Sequence, residues 1–205
     1  MKNLKLVIFD LDGVLVDACE WHYVALNRAL KQVSNYQISL EDHESTFNGI
    51  PTREKLRILT EMKIISENDH DKIYEIKQSI TKDIIKKYST VRSEKIEMIK
   101  SLKERDLKVC CFTNSIRETA ELMLSTSGVI DLFDMIVTNQ DVERPKPDPE
   151  GYLKILSHFG ISSENAIIIE DSPKGIEAAI LSGCKVIGVK DAEDVNVDLF
   201  SEILE

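Results

Sequence analysis

Two carboxylates directly follow the first apolar run of the chain, and their type and spacing could support chemistry. The run at residues 6–8, Leu-Val-Ile, indicates a strand buried on both faces of a parallel sheet. Asp10 and Asp12 can face one small volume if the chain turns at Gly13, and they repel each other unless a cation or a proton lies between them. Ligands bind at this edge of such sheets. The motif alone also fits a solvated turn with a helix-capping aspartate.

A hydroxyl and an amide follow a second apolar run, at residues 107–112. The sequence there is Thr113-Asn114-Ser115, and Glu118 stands three residues after Ser115, which predicts a capping box and a helix start. A hydroxyl and backbone N–H groups at a helix N-terminus can form a phosphate cradle. Plain helix capping by the hydroxyls is the alternative.

A lysine stands between prolines at residues 144–149, Arg-Pro-Lys-Pro-Asp-Pro. The three prolines predict an extended backbone that holds Lys146 in place. Asp148 is predicted to cap a helix whose first residue is Pro149. An ordinary surface loop with an incidental lysine is the alternative.

A further pair of carboxylates, Glu170 and Asp171, follows the apolar run at residues 166–169, and Ser172-Pro173 predicts the start of the next helix. Oxygen ligands of this type suit Mg²⁺. A stray acidic cap would explain the pair without any ligand. Together, the four motifs supply what phosphoryl transfer through an aspartyl-phosphate requires: a carboxylate nucleophile, an acid/base, a magnesium site and donors for the phosphoryl oxygens.

The pattern of the remaining residues predicts the elements that position these groups. From residue 93 onward, helices and short apolar strands alternate, which indicates a Rossmann-like parallel sheet with helices on both faces. The predicted strands are 107–112, 135–138, 166–169 and 185–189, and the predicted helices are 93–105, 115–127, 149–159, 173–181 and 195–204. Residues 17–88 show helical spacing throughout. We therefore predict an α/β core of residues 1–16 and 89–205, with a helical-bundle cap inserted at 17–88.

The net charge and composition of the chain limit the classes of partner that it is expected to bind. A net charge of −10 argues against nucleic acid and anionic membranes as partners, because the chain has no excess of basic residues, but a small phosphorylated substrate needs only a local cationic cluster. No apolar run approaches a membrane span, and the first one is too short for a signal-peptide core. The four cysteines lack zinc-site spacing and indicate reduced, buried thiols. We predict a cytoplasmic monomer or weak homodimer.

With these motifs in this order, nearly the whole sequence resembles the haloacid dehalogenase superfamily. It is most similar to the branch with a helical cap after the first motif, which contains β-phosphoglucomutase and many small-molecule phosphatases. The resemblance implies that Asp10 is the nucleophile and Asp12 the general acid/base. It also implies Mg²⁺ held by Asp10, the backbone carbonyl of Asp12 and Asp171, with Glu170 as a further ligand or as the support of one.

The same resemblance implies roles for residues of the other motifs. Thr113 and the amide of Asn114 would bind the transferring phosphoryl group, and Lys146 would neutralise charge across Asp10 and the phosphate. In the cap, His22 stands at the spacing of the entrance histidine of β-phosphoglucomutase-like proteins, with a buried helix histidine as the alternative.

Three further cap positions bear on specificity. Gly49 followed by Arg53 resembles the family's specificity loop, although the basic residue is four positions after the glycine, where the mutase has three. Lys77 could reach a distal anionic group of the substrate or lie solvated on its helix. Ala18 replaces a hydroxyl residue of the mutase.

The altered loop spacing and Ala18 favour hydrolysis, so the sequence predicts a magnesium-dependent phosphatase of a small phosphorylated metabolite, such as a sugar phosphate or a phosphoglycolate-like ester. A sugar-phosphate mutase of the β-phosphoglucomutase type is the alternative, favoured by His22 and Lys77. A non-catalytic phospholigand-binding protein would be expected to lack one of the motif residues, and none is replaced. A dehalogenase would have no use for Asp12.

Overall fold

The computed structural model describes residues 3–204 of the chain. Within this range, five parallel strands form one sheet in the order β3-β2-β1-β4-β5. They are β1 (Leu6–Phe9), β2 (Lys108–Phe112), β3 (Met135–Val137), β4 (Ala166–Glu170) and β5 (Lys185–Gly188). All five segments were predicted as strands, and the α/β fold class is confirmed.

The order of the strands places β1 at the centre of the sheet. Ile8 pairs with Cys110 of β2 on one side and with Ile168 of β4 on the other. Every residue of β1 is fully buried, which agrees with its unbroken apolar sequence. Because parallel strands end at the same edge, the residues after β1 lie between those after β2 and those after β4.

Helices cover both faces of the sheet. They are α5 (Ser93–Lys103), α6 (Arg117–Thr126), α7 (Glu150–Phe159), α8 (Pro173–Leu181) and α9 (Val197–Leu204). Val7 and Phe9 face a core shared with α5, α6 and α9, whereas Leu6 and Ile8 face a core shared with α7 and α8. This alternation follows from the two-residue period of a strand.

The cap lies between β1 and α5 in the chain, is helical as predicted, and has an apolar core of its own. Leu26 and Leu30 pack there with Leu56, Leu59 and Ile73. Its helices are α1 (Cys19–Ser34), α2 (Leu40–Asp42), which continues as a π-helical turn (His43–Phe47), α3 (Thr52–Glu61) and α4 (His70–Tyr88). The boundaries of the cap at residues 17 and 88 remain a prediction.

Two local predictions were wrong. The capping box at Ser115 does not form: α6 begins at Arg117, and the Ser115 hydroxyl donates to Asp12 instead. The segment around Lys146 is not extended but turns, with a cis Lys146–Pro147 bond and a hydrogen bond from the Asp148 N–H to the Pro145 carbonyl (3.0 Å).

The other helix starts follow the sequence more closely. Ser172 caps α8 by accepting from the Gly175 N–H, and Pro173 is the first residue of the helix, as predicted. Asp148 accepts from the Glu150 N–H, although Pro149 precedes α7 rather than beginning it. No helix between residues 3 and 204 is both long and apolar enough to cross a membrane.

Candidate active site

The Lys146 ammonium joins the ends of three strands. It donates to Asp10 Oδ1 after β1 (2.6 Å), to the Phe112 carbonyl of β2 (2.8 Å) and to Glu170 Oε1 of β4 (2.5 Å). These three bonds use all of its protons. Burial lowers the pKa of Lys146, but the carboxylates of Asp10 and Glu170 raise it well above its ordinary value. Lys146 is therefore a permanent cation beside Asp10.

Glu170 supports this lysine. Its Oε1 also accepts from the Tyr152 hydroxyl (2.8 Å), and its Oε2 accepts from the Asp171 N–H (3.2 Å) and the Ser172 hydroxyl (3.3 Å). A Cβ at Gly175 would lie 1.9 Å from Oε1, so the first turn of α8 can approach the carboxylate only with glycine there. Both oxygens of Glu170 are thus engaged by protein donors, which favours a supporting role over direct metal ligation.

Asp171 presents the feature most typical of a cation site. Its Oδ1 is buried and has no hydrogen-bond partner, and burial, followed by repulsion from Glu170 and Asp12, raises its pKa to about 7. Asp10, Glu170 and Asp171 each offer an oxygen, and these atoms lie within 4.8 Å of one another. Buried, mutually repelling carboxylates with an unpartnered oxygen fit a divalent cation, which binds hard oxygen ligands.

Gly13 makes room for this cluster. Its φ is +91°, and a Cβ there would lie 2.2 Å from Asp171 Oδ2. The left-handed turn after β1 and the close approach of Asp171 therefore both require glycine. This explains why the Asp-x-Asp motif ends in this residue.

Asp12 is held by donors on three sides. Its Oδ2 accepts from the hydroxyls of Thr113 (3.1 Å) and Ser115 (2.9 Å), and its Oδ1 lies 2.8 Å from His22 Nε2. Burial raises the pKa of Asp12, but its electrostatic and hydrogen-bond interaction with His22 and the hydrogen bonds of the two hydroxyls lower this pKa to about 2. Asp12 is ionised and points toward the cap.

His22 connects Asp12 to a buried lysine of α4. The Lys77 ammonium lies 3.1 Å from His22 Nδ1. Because an ammonium can only donate, Nδ1 accepts and Nε2 carries the proton directed at Asp12. Burial, and then the nearby charge of Lys55, lowers the pKa of Lys77 to about 7. Lys77 is only 6% exposed, so the solvated alternative for it is wrong.

Asn114 and Arg53 make contacts that differ from those expected. The Asn114 side chain donates to the carbonyls of Gly49 in the cap (2.8 Å) and Lys146 (3.1 Å), and it accepts from the Lys146 N–H (3.0 Å). Arg53 lies at the rim, 68% exposed in its side chain, where it stacks over Tyr74 and pairs with Asp71 (3.3 Å).

One cavity of about 380 Å³ lies between the strand ends and the cap, a volume typical of small-molecule sites. Its lining includes Asp10, Asp12, His22, Lys77, Lys146 and Asp171, whereas Glu170 lies outside it. The sequence reasoning missed two of its supports, Tyr152 and Lys55. Lys55 lies on the buried face of α3 with Leu56 and Leu59. A lysine among the apolar positions of an amphipathic helix was the signal that could have found it.

Comparison with known proteins identifies the family. Residues 7–189 match the family described as haloacid dehalogenase-like hydrolase. The chain belongs to this family. It is 32% identical over 187 residues to a phosphorylated carbohydrates phosphatase from Thermotoga maritima, covering 90% of this chain and 84% of the relative. It is 27% identical over 196 residues to the pyrophosphatase PpaX of Bacillus velezensis, covering 92% of this chain and 84% of the relative.

The fold of this haloacid dehalogenase-like hydrolase is similar to that of solved structures. A crystal structure of β-phosphoglucomutase from Clostridium difficile matches with a TM-score of 0.83 at 24% identity, over 97% of this chain and 96% of that one. This likeness concerns the fold alone. The comparisons confirm the predicted superfamily and the predicted enzyme class, a phosphatase of small phosphorylated molecules.

Proposed function

We propose that this protein is a magnesium-dependent phosphatase that hydrolyses a small phosphorylated metabolite, such as a sugar phosphate or a phosphoglycolate-like ester, through an aspartyl-phosphate on Asp10. The observation that carries the proposal is the juxtaposition, at the floor of the cavity, of Asp10, the Lys146 ammonium at 2.6 Å and the unpartnered oxygen of Asp171. A nucleophile, a fixed cation and a place for a metal ion meet at one point.

Asp10 and Asp12 both take part in each half of the proposed reaction. In the first, an Asp10 oxygen attacks phosphorus as the ester P–O bond breaks, and the leaving oxygen takes a proton through Asp12. Because Asp12 is ionised in the free protein, it must first accept that proton from the bound monoester or from solvent. In the second, Asp12 removes a proton from water as that water attacks phosphorus and the bond to Asp10 breaks. The hydrogen bonds of Thr113, Ser115 and His22 hold the Asp12 carboxyl in one orientation for both transfers.

The negative charges of the transferring phosphoryl group must be neutralised by groups at the floor of the cavity. Lys146 supplies one positive charge and is itself held by Glu170. A magnesium ion bound by Asp10, Asp171 and the backbone carbonyl of Asp12 would supply the rest of that charge compensation. The cap of residues 17–88, the cytoplasmic location and a monomeric or weakly dimeric state belong to the same proposal.

Removing the metal is expected to abolish phosphate release. After chelation by EDTA, we expect the rate to fall at least about a hundredfold, because several kcal/mol of charge stabilisation are lost. Added Mg²⁺ should restore the rate and also raise the melting temperature, since a ligand of the folded state stabilises it. The assay measures phosphate release from sugar phosphates, 2-phosphoglycolate and nucleotides. Undiminished turnover in EDTA would rule out the metal.

Substituting Asp12 should separate the two steps. In Asp12→Asn we expect the rate of the second step to fall by roughly 10²–10⁴, because the attacking water needs a base. The rate of the first step should fall less. The phosphorylated protein should then accumulate, and intact-mass measurement after rapid quenching would detect it. If the variant were slow yet never carried phosphate, Asp12 would not be the base of the second step.

A sugar-phosphate mutase is a second candidate, and the contact of His22 with both Asp12 and Lys77 favours it. Such an enzyme must keep water from the phosphorylated aspartate. Incubation with β-glucose 1-phosphate and a bisphosphate activator discriminates between the two, because formation of the isomer without free phosphate would establish the mutase. A phospholigand-binding protein would release no phosphate from any ester.

A further inference from the structure

Lys55 is a buried cation in the cap side of the cavity. The residue is only 7% exposed and lies on α3, on the same face as Leu56 and Leu59. Among the side chains that the structure describes, which exclude those of Glu44, Glu202 and Leu204, none offers its ammonium a hydrogen-bond acceptor or a carboxylate at bonding distance. A buried ammonium without a counterion destabilises the fold.

The other cationic side chains that line this cavity each have a hydrogen-bond or ion-pair partner within the protein. Lys146 is bound by Asp10 and Glu170, Lys77 contacts His22, and Arg53 pairs with Asp71 at the rim. Lys77, which the sequence suggested for a distal anionic group, donates one hydrogen bond to His22, whereas the ammonium of Lys55 makes none to a described side chain.

The charge of Lys55 contributes to the pKa values of the groups around it. Burial is the largest cause of the lowered pKa values of Lys77, His22 and His43, and the charge of Lys55 lowers them further. Burial also lowers the pKa of Lys55 itself to about 8, although the charge of Asp12 opposes this shift. Near neutral pH the side chain is still an ammonium. A negative group brought into the cap side of the cavity would supply a counterion at bonding distance, which none of the described side chains does.

We propose that Lys55 binds a second anionic group of the substrate, a carboxylate or a phosphate, while the phosphoryl group to be transferred lies at Asp10. The protein then selects small phosphate esters that carry a second negative charge. This inference rests on the proposed function, because it takes Asp10 as the point of phosphoryl transfer.

The decisive experiment compares matched pairs of esters. The carboxylate pair is 2-phosphoglycolate and 2-hydroxyethyl phosphate, and the phosphate pair is propane-1,3-diol bisphosphate and 3-hydroxypropyl phosphate. For wild type we expect kcat/KM to be higher for the doubly anionic member of at least one pair, and the better pair identifies the group. In Lys55→Met this preference should fall roughly 10- to 100-fold, the loss expected for a charge-assisted hydrogen bond.

Two further variants serve as controls. Lys55→Arg keeps the charge and should keep most of the preference, whereas Lys72→Met, at an exposed lysine of α4, should leave kcat/KM for every ester unchanged. If Lys55→Met lowered kcat/KM equally for both esters of each pair, the proposed role of Lys55 would be wrong. It would also be wrong if wild type showed no preference for the doubly anionic ester.

A binding measurement separates this inference from the proposed function. We expect 3-phosphonopropionate, which cannot be hydrolysed, to raise the melting temperature of wild type more than propylphosphonate does, and Lys55→Met to abolish the difference. If no ester released phosphate but this difference remained, the phosphatase proposal would fail and the anion site would stand. If both phosphonates raised the melting temperature of wild type equally, the proposal of an anion site would be wrong.

Without ligand, Lys55→Met should melt at a higher temperature than wild type below about pH 8, where the unpaired charge is present. This difference in melting temperature should vanish toward pH 10.5.

Discussion

Replacing Asp10 with Asn is expected to lower phosphate release to less than about a hundredth of the wild-type rate. The amide cannot form the covalent intermediate, and it removes one negative ligand of the metal. General acid–base assistance alone, which Asp12 would still give, is worth roughly 10²–10⁴. A variant that kept more than about a hundredth of the rate would show that the covalent route is wrong.

The same substitution should leave the fold intact. Burial, opposed in part by Lys146, raises the pKa of Asp10, and Glu170, Asp171 and Asp12 repel its charge. An uncharged amide relieves that repulsion, while Lys146 keeps its bonds to Glu170 and Phe112. We therefore expect the metal-free variant to melt within a few degrees of wild type. The exposed Asp83→Asn is the matched control, and mass measurement should find phosphate on wild type but not on Asp10→Asn.

Replacing Lys146 with Met is expected to be the most destabilising change in the site. It leaves the carboxylates of Asp10 and Glu170 buried together without their cation, and breaking a buried ion pair from one side costs about 3–5 kcal/mol. Urea denaturation of metal-free protein measures the free energy of unfolding. Turnover should fall as well, since the charge beside the transferring phosphoryl group is gone.

A double-mutant cycle shows whether the loss arises from the unpaired carboxylate. Combining Lys146→Met with Glu170→Gln should recover part of the stability, so the two changes should not be additive. A loss below about 1 kcal/mol in Lys146→Met, or simple additivity, would contradict the central role of this ammonium. Lys72→Met again provides the exposed comparison.

The sheet and the floor of the site could be predicted from the sequence because both depend on local patterns. Short apolar runs define the strands, and parallel strands end at one edge, so Asp10 and Asp171, which follow the neighbouring strands β1 and β4, had to come close together. That step needs only the order of the strands. It does not need the positions of individual side chains.

The contacts that involve the cap could not be predicted in this way. The hydroxyl of Ser115 had a local use as a helix cap, and only the placement of Asp12 across the sheet edge gives it another. Lys55 and Lys77 line the cavity because α3 and α4 pack over it. The apolar face of α3 indicates that Lys55 is buried, but no pattern within either helix indicates which side chains meet the strand ends. The turn at Lys146 likewise depends on Asn114, a residue of a different strand end.

One side chain, that of Asn114, touches both the Gly49 carbonyl of the cap and the backbone of Lys146. The loop that presents the ammonium is therefore tied to the roof of the cavity by a single amide. A displacement of the cap that broke the bond to Gly49 would therefore remove one of the hydrogen bonds that orient the Asn114 amide against the backbone of Lys146.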